Sequence, residues 1–298
     1  MDYKNFVEFI KTKLLITNDK TKKLNIVREE LQKNILYSIY SKNNKLYFLE
    51  WTNLRICYKL DRFSEDLDFT LEKPDKNYRI EDTLNWIISD FKEKNGYSMQ
   101  IKAWNVATVQ KAYIKFPNIL FDTWVSWLKD EKVTIKLEVD TNPAPLSKYW
   151  TDIIKTSMWP CMIKNQDINS TFSWKMWALL LREYVKGRDY YDMYWYLENF
   201  PNKKFNLNYL NSIIKQYNTN NKKNVEIPKT HKDALNMILE KIEHTDYDRV
   251  KSDLTRFITW EKKQLDTFFW NYKNKMYSMI TRYYNNIEKI NNKSNFRL

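Results

Sequence analysis

Three residue types are scarce in this chain: it has two glycines, two cysteines and two histidines in 298 residues. Two cysteines exclude a disulfide scaffold, and the two histidines leave too few ligands for a structural zinc site. The longest apolar run is the six residues 176–181, whereas a membrane-spanning helix needs roughly 20. No basic segment followed by an apolar stretch opens the chain, so we expect no secretion signal, no membrane partner and a cytoplasmic location.

The composition is that of a folded protein with a strong positive charge. Hydrophobic residues make up 43% and aromatic residues 16% of the chain, enough to form a buried core. The chain has 50 lysine and arginine residues and 37 aspartate and glutamate residues, which gives a net charge of +13. Such an excess favours polyanionic partners such as RNA, DNA or nucleotides. The alternative is a coding bias, since lysine, asparagine, isoleucine and tyrosine are abundant together.

The shortage of glycine coincides with a surplus of tryptophan. Average usage of about 7% would give roughly 21 glycines in a chain of this length, yet twelve tryptophans stand beside the two that are present. Several tryptophans lie where their neighbours favour a small residue. We hypothesise that Trp51, Trp124, Trp127, Trp174 and Trp177 are encoded by UGA and are glycine in the native organism. Alternatively, they are authentic aromatic residues of the core.

Hydrophobic spacing predicts an α+β protein. Two helices are expected in the first 45 residues, and every element predicted from residue 171 onward is helical. Asn142, Pro143 and Pro145 interrupt the pattern, so we predict one domain over 1–145 and a helical domain over 146–298. The predicted strands cover 46–49, 67–71, 97–104, 112–116 and 133–139.

Two aspartates stand two residues apart at the start of a predicted strand. Asp66 and Asp68 therefore project from one face, while Leu67 and Phe69 pack behind them. Two carboxylates held close together favour a hard cation such as Mg²⁺, which often bridges carboxylates and substrate phosphates. Alone, this pair favours a solvated acidic turn over a metal site.

A third carboxylate lies on the alternating strand 133–139, a second strand that could lie beside the strand of the two aspartates. Glu138 is flanked by apolar residues and faces the same way as Lys136. Carboxylates facing one side of a sheet are costly unless a metal or partner neutralises them, so Glu138 strengthens the metal-site interpretation. Lys136 is expected either to contact a phosphate or to form an ion pair.

Charged residues also lie on the predicted helices of the second domain. Lys175 precedes an apolar run and is expected near a helix N-terminus, where a phosphate is favoured by the helix dipole. Arg188 and Asp189 follow in a segment that is rich in charge. From spacing alone, we favour Asp189 as a helix cap and Arg188 as half of a surface ion pair.

Taken together, these segments resemble the AbiEii/AbiGii toxin family of nucleotidyltransferases, the toxins of type IV toxin–antitoxin pairs. The similarity extends over roughly residues 20 to 260, and four motifs in the right order are more specific than any one of them. Glu50 and Trp51 stand where the family has a glycine pair, and Trp174 where it has the glycine of Ala-Gly-Lys. The matching segments are Thr52–Arg55, Leu60–Phe69, Ile135–Pro143, Phe172–Leu180 and Lys186–Asp189.

The resemblance implies a nucleotidyltransferase fold, with a mixed sheet that binds the metal and a C-terminal helical bundle that closes the nucleotide cleft. By this resemblance Asp66 and Asp68 hold Mg²⁺, with Glu138 as third ligand or as the base. Lys175 and Asp189 complete the expected catalytic set, by neutralising and positioning the triphosphate. The nucleotide-binding residues are expected to be Thr52, Ser64, Lys136, Lys175 and Arg188.

The implied reaction is attack by an acceptor hydroxyl on the α-phosphorus of an NTP, with release of pyrophosphate. RNA such as tRNA is the expected acceptor, and a cognate antitoxin or its operon product is the expected protein partner, in a system typical of phage defence. An alternative is a basic RNA-binding protein without turnover, in which Trp51 blocks the nucleotide pocket. The sequence does not specify which NTP, acceptor or antitoxin is used, nor the oligomeric state.

Overall fold

The chain packs into two units, each of which is described by itself. The computed structural model describes residues 1–42, 45–255, 257–258, 260 and 262–295. The boundary predicted near residue 145 stays a prediction, and residues 149–166, which follow it, pack with the sheet. Unit 1 comprises Met1–Lys59, Phe63–Pro143 and Tyr149–Gln166; unit 2 comprises Leu60–Arg62, Ala144–Lys148 and the chain from Asp167 onward.

A mixed β-sheet forms the centre of unit 1. In chain order its strands are β1 (Tyr47–Leu49), β2 (Leu67–Thr70), β3 (Gln100–Trp104), β4 (Val109–Phe116), β5 (Val133–Asp140), β6 (Tyr149–Ile154) and β7 (Cys161–Gln166). Within the described residues these seven strands lie in the order β3-β4-β5-β2-β1-β7-β6. The β2–β5 and β1–β7 pairs are parallel, and the other neighbours are antiparallel.

Helices of unit 1 pack with this sheet. They are α1 (Tyr3–Leu14), α2 (Lys20–Tyr40), α3 (Glu50–Tyr58), α4 (Ile80–Ile88), which continues as a π-helical turn (Ser89–Glu93), and α5 (Ile119–Asp122). Asp2 and Asp19 cap the first two helices, because each carboxylate accepts a backbone N–H of the first turn. Apolar residues of α1, α2 and α4 share one buried core with those of β2, β4 and β5.

The alternation of β5 fixes which side chains leave the core. Ile135, Leu137 and Val139 are buried, whereas Lys136 and Glu138 on the intervening positions are only partly covered. Since successive side chains of a strand point to opposite faces, the charged residues stand on the face away from α1 and α2. This face carries the residues considered below as the active site.

Unit 2 is helical from Asp167 onward, which confirms the predicted α+β class with a helical C-terminal part. Its helices are α6 (Ile168–Leu181), α7 (Gly187–Asn199), α8 (Leu207–Asn221), α9 (His231–Glu243), α10 (Tyr247–Leu254), α11 (Lys262–Trp270) and α12 (Tyr272–Asn295). Thr230 and Asp233 form a reciprocal capping box at the start of α9. In the part of the chain that the structure describes, no helix is long and apolar enough to cross a bilayer.

The two glycines stand where a side chain would be costly. A Cβ on Gly187 would lie 1.9 Å from the carbonyl oxygen of Val250, and Gly96 has a φ of +70°. Among the described residues, six others also have a positive φ, and they include Glu50 at 55° and Trp124 at 60°. That region favours glycine, so the conformation of Trp124 supports the glycine hypothesis at this position.

Candidate active site

Parallel pairing of β2 with β5 brings the predicted carboxylates together. Asp68 and Glu138 are direct partners in the register of these two strands. Asp66 precedes β2 by one residue and lies close enough to Asp68 to affect its ionisation. The sequence could not show this pairing, because neither strand specifies its neighbour.

Asp68 is a buried carboxylate in an acidic environment. Only 7% of the residue is exposed, and its Oδ2 atom has no hydrogen-bond partner among the described residues. Burial raises the pKa of Asp68 well above its usual range, and the nearby carboxylates of Glu50, Asp66 and Glu138 raise it further. Around Asp68, the carboxylates of the site therefore outnumber the positive groups that could neutralise them.

Glu138, in contrast, is held by two lysines. Its Oε2 lies 2.6 Å from the Nζ of Lys136, and its Oε1 lies 3.0 Å from the Nζ of Lys111. Burial alone would raise the pKa of Glu138, but the hydrogen bonds from Lys136 and Lys111 lower it below the usual value. Lys136 thus forms an ion pair with Glu138, and its contact with a phosphate stays a prediction.

Two buried hydroxyls support the segment that leads into β2. The Thr52 hydroxyl lies 2.7 Å from that of Ser64, and it also donates to the carbonyl oxygen of Asp66. Gln32 donates its amide to the carbonyl of Ser64 at 3.2 Å. These bonds tie the first turn of α3 to the strand that carries the aspartates. The phosphate-binding role of Thr52 and Ser64 stays a prediction.

The donor set of this site fits a divalent cation in its chemistry. Carboxylate oxygens are the ligands that Mg²⁺ prefers, and the buried Oδ2 of Asp68 is available for coordination. Within the described residues, no three Asp, Glu, His or Cys side chains are grouped so that they could hold a metal ion as they stand. Assignment of the metal to Asp66, Asp68 and Glu138 therefore stays a prediction.

The charged residues predicted in the second domain form a separate buried cluster within unit 2. Lys175 places its Nζ 2.8 Å from Asp192 and 3.6 Å from Asp189, and only 2% of its side chain is exposed. Asp189 is also bound by Arg182 at 2.6 Å. The expectation that Lys175 lies near a helix N-terminus is wrong: Asp167 caps α6, and Lys175 is in the middle of that helix.

A bidentate ion pair completes this cluster. Arg62 donates from Nε to Asp192 Oδ1 at 2.7 Å and from Nη2 to Oδ2 at 2.6 Å. Burial alone would raise the pKa of Asp192, but the charges of Arg62 and Lys175 lower it. Sequence reasoning missed both partners, although Asp192 follows Asp189 by three residues and so lies on the same side of α7.

The remaining predicted residue, Arg188, is engaged elsewhere in unit 2. Its guanidinium lies 3.8 Å from the centre of the Phe257 ring, and its Nε is 3.8 Å from Asp253. The structure thus brings together Asp66, Asp68, Glu138, Lys136, Thr52 and Ser64 in unit 1, and Lys175 with Asp189 in unit 2. Sequence reasoning also missed the charges of Glu50, which stands at the family's glycine pair, and of Lys111, which lies opposite Glu138 on the neighbouring strand β4.

Comparison with known proteins identifies the class of the chain. The family model described as "Nucleotidyl transferase AbiEii toxin, Type IV TA system" matches residues 52–268. The chain belongs to the AbiEii family. It is accordingly a nucleotidyltransferase, and membership in a type IV toxin–antitoxin family implies an NTP substrate and an antitoxin counterpart.

Solved structures with the same fold come from Helicobacter pylori. A candidate nucleotidyltransferase of H. pylori is 18% identical, with a TM-score of 0.55 over 89% of this chain and 95% of that one. JHP933 from the same organism is 16% identical, with a TM-score of 0.54 over 91% and 95% of the two chains. No curated protein matches the chain. These similarities show a shared nucleotidyltransferase fold.

Proposed function

We propose that this AbiEii-family toxin transfers a nucleoside monophosphate from an NTP to a hydroxyl of an RNA such as tRNA, in a reaction that depends on Mg²⁺. The observation that carries the proposal is the direct pairing of Asp68 with Glu138, together with the buried Asp68 Oδ2, which has no hydrogen-bond partner in the part of the chain that the structure describes. An uncompensated buried carboxylate is costly unless a cation compensates it. The net charge of +13 supports a polyanionic acceptor.

Asp66, Asp68 and Glu138 would hold the Mg²⁺ in this proposal. When bound, the ion supplies positive charge against the phosphates and against the charge that develops on them during transfer. Glu138 is proposed either as the third ligand or as the base that accepts the proton of the attacking hydroxyl, and hydrogen bonds from Lys136 and Lys111 lower the pKa of its carboxylate. The two lysines then hold their positive charge next to the reacting groups.

Lys175 and Asp189 are assigned to the triphosphate in the same proposal. Lys175 contributes a positive charge, and Asp189 and Asp192 orient its ammonium group. Arg62 fixes Asp192 by two hydrogen bonds, so it acts on the lysine through that carboxylate. Arg188 is proposed to contact the nucleotide, and Thr52 and Ser64 to shape the phosphate-binding segment.

Transfer of label from an NTP to RNA tests the proposal. The protein is incubated with each NTP labelled in its α-phosphate, with Mg²⁺ and total RNA, and the RNA is then separated on a denaturing gel. Labelled RNA is expected with the wild type, and none with Asp66→Ala. Asp90→Asn is the matched control, because Asp90 is a buried aspartate on the π-helical turn that pairs with Lys94.

Two results would contradict the proposal. One is label transfer that persists in Asp66→Ala, which would show that the acidic cluster is not required. The other is a gel shift of RNA without any transfer, with every NTP tested. That outcome supports the alternative of an RNA-binding protein without turnover.

A further inference from the structure

The exposed face of β3, β4 and β5 combines lysines with aromatic rings. Its outer residues, which we call the basic–aromatic face, are Lys102, Trp104, Lys111, Tyr113 and Lys115. On the opposite side of the same strands, Ala112, Ile114 and Phe116 are buried in the core. The face is therefore the solvent side of a sheet whose other side is fully packed.

Strand register makes this face continuous with the acidic site. Trp104 is the partner of Lys111, and Lys111 is the partner of Glu138. Glu138 in turn is the partner of Asp68, so one row across four strands leads from an edge tryptophan to the buried aspartate. At about 4.8 Å per strand, the face extends roughly 10 Å from β5 to the β3 edge.

The aromatic rings are held in place and remain accessible. Trp104 is 45% exposed and packs edge-on against Tyr113, with ring centres 5.5 Å apart. Lys102 places its Nζ 4.9 Å from the centre of the Trp104 ring. Lysines on an edge strand can serve only to prevent it from pairing with another sheet. That role does not require an exposed tryptophan side chain, so it does not account for Trp104.

We propose that the basic–aromatic face binds the single-stranded segment of the acceptor nucleic acid that leads to the reacting hydroxyl. Lysines that track phosphates and an aromatic ring on which a base stacks are the two elements of sequence-tolerant single-strand binding. The charges on the sheet complement this arrangement. Cations predominate at β3 and β4, where the phosphates of the single strand would lie, and carboxylates lie at β2, next to the reacting hydroxyl. This inference rests on the proposed function, since it names where the acceptor of that reaction lies.

Binding of a short fluorescein-labelled single-stranded RNA, measured by anisotropy in EDTA without NTP, tests the face separately from turnover. Trp104→Ala is expected to weaken binding roughly 5- to 100-fold, and Trp104→Phe to retain most of it, since stacking needs a ring. The double variant Lys102→Ala/Lys115→Ala is expected to reduce the slope of log affinity against log salt by about 1.4, which corresponds to two lost phosphate contacts.

Matched controls lie outside the face. Trp159→Ala removes another exposed tryptophan of unit 1, and Lys73→Ala/Lys76→Ala removes two exposed lysines of the loop after β2. Both are expected to bind RNA like the wild type. If Trp104→Ala does not fold, as judged by circular dichroism, the salt slope of the double-lysine variant decides the question.

Equal RNA binding by the face variants and their controls would overturn the proposal. It would also be overturned if Trp104→Ala raised the KM for NTP and left RNA binding unchanged, because the face would then serve the nucleotide. Failure of the proposed function has a different signature: RNA binding depends on the face, but no nucleoside monophosphate is transferred to RNA from any NTP.

Discussion

Replacement of Asp68 by asparagine should make the metal-free protein more stable. The carboxylate is buried, one oxygen has no hydrogen bond, and three other carboxylates raise its pKa. An unsatisfied buried polar or charged group costs about 1–3 kcal/mol. Asp68→Asn removes the charge at nearly constant shape, so we expect the free energy of unfolding in EDTA at pH 7 to rise by about that amount.

The difference in stability between the wild type and Asp68→Asn should depend on pH. Because the pKa of Asp68 is raised in the folded state, the folded protein binds its proton more tightly than the unfolded chain does. The wild type should therefore lose stability relative to Asp68→Asn as the pH rises above about 4, the ordinary aspartate value. Below that pH the two proteins should differ little from this cause.

Magnesium should reverse the order of stability. Ligand at about 1,000 times its dissociation constant stabilises a folded protein by about 4.1 kcal/mol, and we expect that gain for the wild type but not for Asp68→Asn. Thermal unfolding followed by circular dichroism, with and without Mg²⁺, measures both effects. Asp90→Asn, which breaks a pair with Lys94, should be no more stable than the wild type. A less stable Asp68→Asn in EDTA, or an equal Mg²⁺ shift in both proteins, would refute the reasoning.

Three further predictions concern the stability of the folded protein. Asp192→Asn should lower the free energy of unfolding in urea by about 3–5 kcal/mol, because it leaves the buried Arg62 without its bidentate partner. Gly187→Ala should lower the thermal midpoint, since its Cβ would collide with the carbonyl oxygen of Val250 and overpacking costs about 1–3 kcal/mol. Trp124→Gly should raise that midpoint, because a left-handed backbone costs a residue with a Cβ about 1–2 kcal/mol.

Each of these has its own control. Asp253→Asn removes a partly exposed partner of Arg188 and should cost less than about 1 kcal/mol; an equal loss in Asp192→Asn would contradict the buried-pair argument. Gly96→Ala meets no neighbouring atom but strains a backbone with a φ of +70°, so the collision argument would be contradicted by an unchanged midpoint in Gly187→Ala. A UGG codon at position 124 would contradict the glycine hypothesis there, whatever the stability of Trp124→Gly.

The sequence predicted the local features of the site better than its assembly. Alternation along β5 correctly indicated that Ile135 and Glu138 face opposite ways, because a strand has a fixed period of two. It did not indicate that Glu138 pairs with Asp68 or that Lys111 reaches Glu138 from β4. Pairing between strands depends on packing of the whole sheet, and no local pattern encodes it.

Two misses have particular physical causes. No strands were predicted at 149–166, where β6 is an edge strand whose residues Trp150 and Ile153 are exposed, so the usual alternation of buried and exposed residues is lost. Lys175 was expected near a helix start because the apolar run begins after it, but the cap at Asp167 starts α6 two turns earlier. The capping residue therefore indicates the start of α6 better than the apolar run does.

The most direct test of the central claim is anomalous diffraction from crystals grown with Mn²⁺ and a non-hydrolysable NTP. The account predicts a manganese peak within coordination distance of the Oδ2 atom of Asp68, with Asp66 or Glu138 as a second ligand, and the triphosphate beside it. A crystal of active protein in which the nucleotide is bound, but in which manganese lies elsewhere or is absent from these carboxylates, would contradict it.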